Sequence, residues 1–455
     1  MANTIDMTGG GNLTRKIIMF ALPLMASGIV QQSFNAMDVA VVGKFVGAHA
    51  LAAVGANGPV IGLLVNLFIG ISVGANVVIA TCIGQRNRRD VGRAVSTSVI
   101  VALVGGFAML LLGVTVTAPI LEMLETPANI IDDAAGYLRI FALGFPAMMV
   151  YNFGNAILRS TGDTKRPFYW LVIGGLVNVT LNLFLVLVCG MGVHGVAIAT
   201  VVANCVSASG IVMILVREKS DIHLDIRALK VWRTQLRKIL QIGVPAGLQG
   251  MGFALSNVFI QSAINRFGSE AVAGSAAAIT FELYCYFVIS SFVQAAVAFM
   301  SQNYGAGEYH RCKVIYRRCL LLAMGCCAAF NFLIICFHSE CLSLFTSDPR
   351  ALQFATERLL TVLAFQWVAS TYEVSAGAMR SVGYSLTPTI IIIAGTCVVR
   401  IAWVHLRHFA DFTQLLVIYP ISWALTGVCV TIAWFVVARR TLHSRQPAPQ
   451  GDKTD

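Results

Sequence analysis

The chain has 455 residues, of which 57% are hydrophobic and 12% charged, and its mean hydropathy is +0.77. So little charge cannot cover a water-soluble protein of this size, which excludes a soluble enzyme or binding module. The formal net charge of +11 requires no nucleic acid, because basic loops facing anionic lipid account for it.

Apolar runs of about 20 residues, the length that crosses ~30 Å of hydrocarbon as a helix, recur along the chain. Their unbroken apolarity argues for helices over barrel strands. About twelve spans are predicted. The first six are residues 16–42, 51–81, 94–118, 134–158, 168–188 and 193–216. The last six are 239–264, 271–300, 319–337, 359–379, 386–404 and 415–437. Residues 1–13 are polar and the first apolar run is too long for a signal core, so no cleavable leader is expected.

The first span carries a carboxylate at lipid depth, in Phe34-Asn35-Ala36-Met37-Asp38, with Val39 to Val42 continuing the apolar run past it. A charge at mid-membrane costs roughly 2.5 to 3.5 kcal/mol on insertion scales, so Asp38 is a functional candidate by default. The bland alternative has Asp38 reaching headgroups near a helix end. Polar groups that can approach it lie further along: Asn178 and Asn182, four apart on one face of the fifth span, and Thr200 in the sixth. Asn152 and Asn155 in the fourth span extend the polar set, although such residues also serve simply to join helices at ~0.6 kcal/mol apiece. The second half has buried charges of its own at Glu282, Glu373 and Arg400, candidates for lining a substrate cavity, with Arg400 equally suited to neutralising one of the acids.

Basic residues alternate between loops. Arg86, Arg88 and Arg89, then Lys165 and Arg166, then the loop from Arg217 to Lys238, then Arg311 to Arg318 are rich in Lys and Arg. The intervening loops hold only Lys44, Arg266, Arg350, Arg358 and Arg407. The positive-inside rule therefore puts both termini in the cytoplasm of a cell whose inner membrane the chain spans many times. The twelve cysteines lack metal spacing and read as small apolar packing residues, apart from a remote outer pair at Cys336 and Cys341.

The chain then repeats. Gly84 and Gly305, Arg159 and Arg380, Gly162 and Gly383, and Pro167 and Pro388 are each 221 apart, while Pro23 and Pro245 are 222 apart. The expected fold is thus an all-α integral membrane protein with about twelve transmembrane helices in two six-helix lobes related by an internal repeat. The lobes are residues 1–216 and 239–440, with a cytoplasmic amphipathic linker at 217–238 and a disordered cytoplasmic tail at 441–455. Leu229, Trp232, Leu236 and Ile239 follow helical spacing, so the linker is expected to be an interfacial helix. The lobes are chemically unequal, since Glu282, Glu373 and Arg400 fall opposite Ile61, Asn152 and Val179.

Several stretches resemble multidrug and toxic compound extrusion transporters, of the multidrug, oligosaccharidyl-lipid and polysaccharide flippase superfamily. They are Pro23 with Phe34-Asn35-Ala36-Met37-Asp38, the turn Leu158-Arg159-Ser160-Thr161-Gly162-Asp163-Thr164 before Pro167, and Gly195 to Thr200. Gln302-Asn303-Tyr304-Gly305-Ala306-Gly307 and Gly377 to Gly383 complete the likeness, which runs from Leu13 to Arg440. The resemblance implies a proton or sodium site at Asp38, Asn178, Asn182 and Thr200, to which Asn155 is added. It implies export of amphipathic organic cations such as drugs and dyes by alternating access, and no cofactor beyond the transported ion. Many relatives carry aspartate where this chain has Asn182, which leaves one carboxylate fewer. Some have a glutamate in the seventh span, where this chain offers Phe253. Asn35, Asn152, Glu282, Glu373 and Arg400 are the substrate-cavity candidates. Small organic molecules and lipid are the expected partners of a monomer.

The runner-up reading is a flippase for lipid-linked oligosaccharide, which would line its cleft with several Arg or Lys for pyrophosphate. A membrane-embedded enzyme is disfavoured, because no HExxH, paired metal-spaced aspartates or nucleophile elbow appears. A channel is disfavoured because no ring of filter residues is evident.

Overall fold

The computed structural model describes residues 4–115, 117, 119, 130–343, 345, 348–406, 409 and 411–442. Arg407 and residues 443–455 of the expected tail lie outside the described residues. The first lobe comprises α1 (Leu13–Val41), α2 (Ala48–Gly84), α3 (Arg88–Thr115), α4 (Ile131–Ala142), α5 (Phe145–Ser160), α6 (Lys165–Leu183) and α7 (Gly192–Arg217). The second begins with α8 (Arg233–Asn265), α9 (Ser269–Gly305), α10 (Tyr309–Cys336) and the short α11 (His338–Ser343). It continues through α12 (Pro349–Gln366), α13 (Ala369–Ser381), α14 (Leu386–Ile392) and α15 (Val399–Leu406), and ends with α16 (Phe412–Leu416) and α17 (Ile418–Thr441).

Ten of these helical segments are long and apolar enough to cross a bilayer, and α4 with α5, bent by 47° at their junction, makes an eleventh. The bend falls at Leu143–Gly144 just before Pro146, which lacks the N–H that a continuous helix would need there. The expected tenth span, 359–379, is instead two shorter helices, α12 and α13, separated at Trp367–Val368. Both bury ionisable side chains among other helices: Arg358, Glu373 and Arg380 are 2%, 6% and 6% exposed. Arg358 is therefore not the outer-loop residue that charge counting suggested.

The expected amphipathic helix over the linker does not form. Between Arg217 and Arg233 the only helical turn is a 3-10 turn at Ile226–Ala228. The chain is instead pinned along α3: the Lys230 N–H donates to Ser96 Oγ at 2.8 Å, and the Trp232 N–H to Thr97 Oγ1 at 3.1 Å. The Arg93 guanidinium lies 4.2 Å from the Trp232 ring centre. Hydroxyls and a cation–π contact supply what a helix would have supplied, so the apolar stripe is spent on α3 rather than on lipid.

The repeat is visible in backbone conformation as well as sequence. Gly47 and Gly268, 221 residues apart, precede α2 and α9 with φ of 116° and 99°. Arg86 and Gly307 follow the same two helices at φ of 55° and 80°, so Arg86 holds a left-handed position where the second copy has glycine.

Two helices tie the lobes together. Phe20, Ala21 and Leu24 of α1 belong to the second lobe's core, where the Phe20 and Phe299 rings meet edge to face at 5.4 Å. Past Pro23 the same helix enters the first lobe, with Val41 packed alongside Val186 and Val196. In α8, Ile239 and Ile242 join the first lobe's core while Ile260 and Ile264 join the second's. Close approach along the seam rests on glycine. A Cβ on Gly70 would lie 2.1 Å from the Gly247 nitrogen, and one on Gly74 would lie 2.3 Å from the Ile239 carbonyl oxygen. Gly70 and Gly74, facing Gly243 and Gly247, form a pair of GxxxG crossings. At the far ends of α2 and α9, a Cβ on Gly84 would sit 1.9 Å from the Gln302 carbonyl oxygen. At that same end Gln302 Nε2 donates to the Ser160 carbonyl at 2.6 Å, and Arg159 donates to Gln294 Oε1.

Residues 5–11 clasp this end from beneath. The Ile5 N–H donates to the Gly162 carbonyl of the first lobe at 3.4 Å. Asn303 Nδ2 and Arg311 Nη2 of the second lobe donate to the Met7 carbonyl at 3.1 and 3.3 Å, and Arg311 reaches the Gly9 carbonyl at 2.7 Å. Met7 itself is 1% exposed.

Candidate functional site

The first-lobe site follows from one close helix crossing. A Cβ on Gly175 of α6 would fall inside the Phe34 ring, 1.7 Å from its nearest atom, so glycine lets α1 lie against α6. One turn beyond Phe34 comes Asp38, and three and seven residues beyond Gly175 come Asn178 and Asn182. The crossing therefore brings all three together. Asn182 Nδ2 donates to Asp38 Oδ1 at 2.7 Å, and Asn178 Nδ2 donates to Thr200 Oγ1 at 3.3 Å. Asn178 and Asn182 are buried and Asp38 is half-buried. Both α1 and α6 pass directly from these residues into π turns, Val42–Val46 and Phe184–Val188. Such turns interrupt the regular ladder and are frequent at functional sites.

What the set can do is fixed by its leftover atoms. The Oδ1 atoms of Asn155, Asn178 and Asn182 are buried without a hydrogen-bond partner among the described residues. Native interiors seldom leave such acceptors empty. A carboxylate, amide oxygens and a hydroxyl form an all-oxygen donor set, suited to a proton or to a hard cation and unsuited to a soft metal. No group of three or more His, Cys, Asp or Glu placed to hold a metal ion occurs among the described residues. Asn155 shares the unmet acceptor but has no bond to Asp38. Asn152 turns back on its own helix, with Nδ2 donating to the Met148 carbonyl at 3.0 Å. Asn35 is exposed, three residues before Asp38. Tyr137 of α4, 7% exposed and within electrostatic reach of Asp38, gave no sequence signal. Only the fold carries it there.

A separate cavity of about 560 Å³ lies mainly in the second lobe, with Asn66 of α2 reaching its wall. Glu282, Glu373 and Arg400 all line it, as does Arg358. Glu282 is engaged: Arg358 grips it through Nε at 2.7 Å and Nη2 at 3.0 Å, a forked pair. The pairing of an acid with Arg400 that the sequence left open is not seen. Arg400 Nε instead donates to Ser422 Oγ at 3.0 Å, and the guanidinium lies 4.5 Å from the Tyr419 ring centre and 5.8 Å from that of Trp423. Glu373 lies in electrostatic reach of Arg380, whose Nη2 donates to Gln249 Oε1 at 2.6 Å.

The MatE family model matches residues 23–184 and 245–404, one copy in each lobe. The chain is 29% identical over 386 residues to the probable multidrug resistance protein YoeA of Bacillus subtilis, covering 83% of each protein. It is 26% identical over 415 residues to the probable multidrug resistance protein NorM of Thermotoga maritima, covering 87% of this chain and 86% of that one. It shares its fold with the crystal structure of MATE in complex with MaL6, at a TM-score of 0.90 and 22% identity, over 97% of this chain and 99% of that one. With the family pattern present twice and the same two-lobed helical architecture around it, the protein belongs to the MatE family and is a multi-pass membrane transporter of the multidrug extrusion type rather than an enzyme.

Proposed function

We propose that the protein is a secondary active antiporter that exports amphipathic, mostly cationic organic compounds in exchange for protons or sodium ions by alternating access. The observation that carries this reading is the Asp38 carboxylate held by Asn182 beside unfilled amide oxygens. An ion arriving there neutralises Asp38 and removes its attraction for a cationic substrate. Because α1 is rooted in the second lobe's core below Pro23, a change in charge at Asp38 acts on both lobes through one helix. The reading sets both termini in the cytoplasm of a monomer in the inner membrane. The seam at Gly84 and Gly305 then shuts the cytoplasmic end. One proton exchanged for one monovalent cation moves no net charge and draws on the pH gradient alone, whereas a second proton would add ~2.3 kcal/mol per 100 mV.

The flippase alternative requires an excess of buried cations for pyrophosphate. In the second-lobe cavity, Arg358 and Arg400 are matched in number by Glu282 and Glu373, which favours the antiporter. The test is a fluorescent cation in everted vesicles, energised separately by a proton and by a sodium gradient. Drug addition should discharge one gradient in the wild type and neither in Asp38→Asn. Gradient-linked efflux that survives Asp38→Asn would refute the assignment.

A further inference from the structure

The second-lobe cavity contains a charge that its surroundings leave unanswered. Arg400 is 3% exposed, yet among the described residues no carboxylate lies within salt-bridge distance of it, and its Nη2 is buried without a hydrogen-bond partner. A buried guanidinium with an empty donor is costly, and the Tyr419 and Trp423 faces return only part of that cost. Neighbouring groups do not relieve it. Glu282 is taken up by Arg358, which itself keeps a buried, unpartnered Nη1, and Glu373 lies in the same cavity without an ion pair to Arg400. The π turn Ile393–Val398 runs directly into the helix that carries Arg400, and a Cβ on Gly395 within it would meet Thr426 Oγ1 at 2.4 Å. The side chain is thus set by a local backbone irregularity packed against α17.

We infer that this cavity is a carboxylate-accepting subsite: Arg400 receives the carboxylate of an aromatic amphipath against Tyr419 and Trp423, and Glu373 faces the cationic pole of a zwitterionic ligand. The inference rests on the transport reading and refines its substrate class, from organic cations to molecules that also carry an acid. Arginine is suited to this role because its planar fork matches a carboxylate and its face stacks on aromatic rings. A volume of about 560 Å³ lies within the range of small-molecule sites. Arg400 is a specificity group here, deciding which head group is accepted rather than whether an apolar body enters.

The experiment uses the full chain in lipid nanodiscs and two fluorescent probes that differ in one charge. Nε-dansyl-lysine is a zwitterion, and its methyl ester has the same ring and ammonium without the carboxylate. The wild type should bind the zwitterion at least about tenfold more tightly than the ester, as a charge-assisted hydrogen bond implies. Arg400→Gln should remove that preference while leaving ester binding within twofold. Arg400→Lys, which keeps the charge and loses the fork, should fall between, and serves as the reading if Arg400→Gln fails to fold. Equal binding of both probes by the wild type, binding of neither, or an equal loss of both in Arg400→Gln would overturn the subsite. Because these are binding measurements without a gradient, their failure is separable from a failure of gradient-linked efflux in vesicles.

Discussion

Substituting Gly70 with alanine adds one carbon where none fits. That Cβ would stand 2.1 Å from the Gly247 nitrogen, 2.3 Å from its Cα and 2.6 Å from the Ala246 carbonyl carbon, all backbone atoms of α8. Ordinary contact is ~3.5 to 4 Å, so α2 and α8 must part by roughly 1.5 Å at this crossing. Overpacking of this kind costs about 1 to 3 kcal/mol. If the seam exists only when the two lobes are shut at the Gly84–Gly305 end, the same energy shifts the conformational equilibrium about 5- to 150-fold toward the state open there. Spin labels at Arg88 and His310, one on each lobe beside that end, would report a longer distance population in Gly70→Ala than in wild type. Gly62→Ala on the same helix is the control, because a Cβ there meets nothing within 4 Å and should gain up to ~1 kcal/mol of helix propensity without moving the lobes. An unchanged distance distribution in Gly70→Ala, with unchanged melting, would refute the view that this seam is the closed contact of the transport cycle.

Removing either partner of the buried Glu282–Arg358 fork, as Glu282→Gln or Arg358→Gln, should destabilise the protein by about 3 to 5 kcal/mol, whereas Glu282→Met with Arg358→Met should recover most of it; thermal melts in detergent decide. Arg86→Gly should be neutral or stabilising by up to ~1.6 kcal/mol, because it relieves a left-handed arginine at ~1 to 2 kcal/mol but loosens the unfolded chain by ~0.4 to 1 kcal/mol. The N–H groups of Gly9 and Thr8, with Lys16 nearby, hold the Asp6 carboxyl below its usual range. A lowered folded-state value means that its contribution is present above the ordinary carboxylate pKa and is lost as pH falls through the depressed value. Asp6→Asn should therefore speed hydrogen exchange at Gly9 at neutral pH and flatten the acid dependence of that exchange. Faster exchange at every pH with the same dependence would argue against Asp6 as the cause.

Much of the frame was legible because lipid imposes a length on every apolar run and the repeat at 221 residues marks equivalent turns. Asp38 with Asn178 and Asn182 was legible because an acid at lipid depth has few reasons to be there, and four-residue spacing gives its partners a face. The second lobe was less open to this logic. Arg358 looked like a loop cation because α12 is interrupted and short of apolar residues, yet its purpose is to hold Glu282. Tyr137 was invisible because nothing in a lone tyrosine distinguishes a core ring from one within electrostatic reach of a carboxylate. The linker misled for a different reason: Leu229 and Trp232 have helical spacing, but Ser96 and Thr97, more than 130 residues away, satisfy the backbone of Lys230 and Trp232 in an extended form. No local pattern contains that information.

The clasp at residues 5–11 has a consequence for how the protein is made. Met7 leaves the ribosome almost 300 residues before Asn303, and Gly9 about as far ahead of Arg311, the side chains that receive them. Throughout synthesis of the first lobe this segment has only the Gly162 carbonyl and Lys16, whose Nζ donates to the Asp6 and Gly9 carbonyls, to hold it, and its burial waits until α9 and α10 have been inserted. Protection of Met7 from protease would therefore be a late event in biogenesis, dating the moment at which the newborn halves first engage.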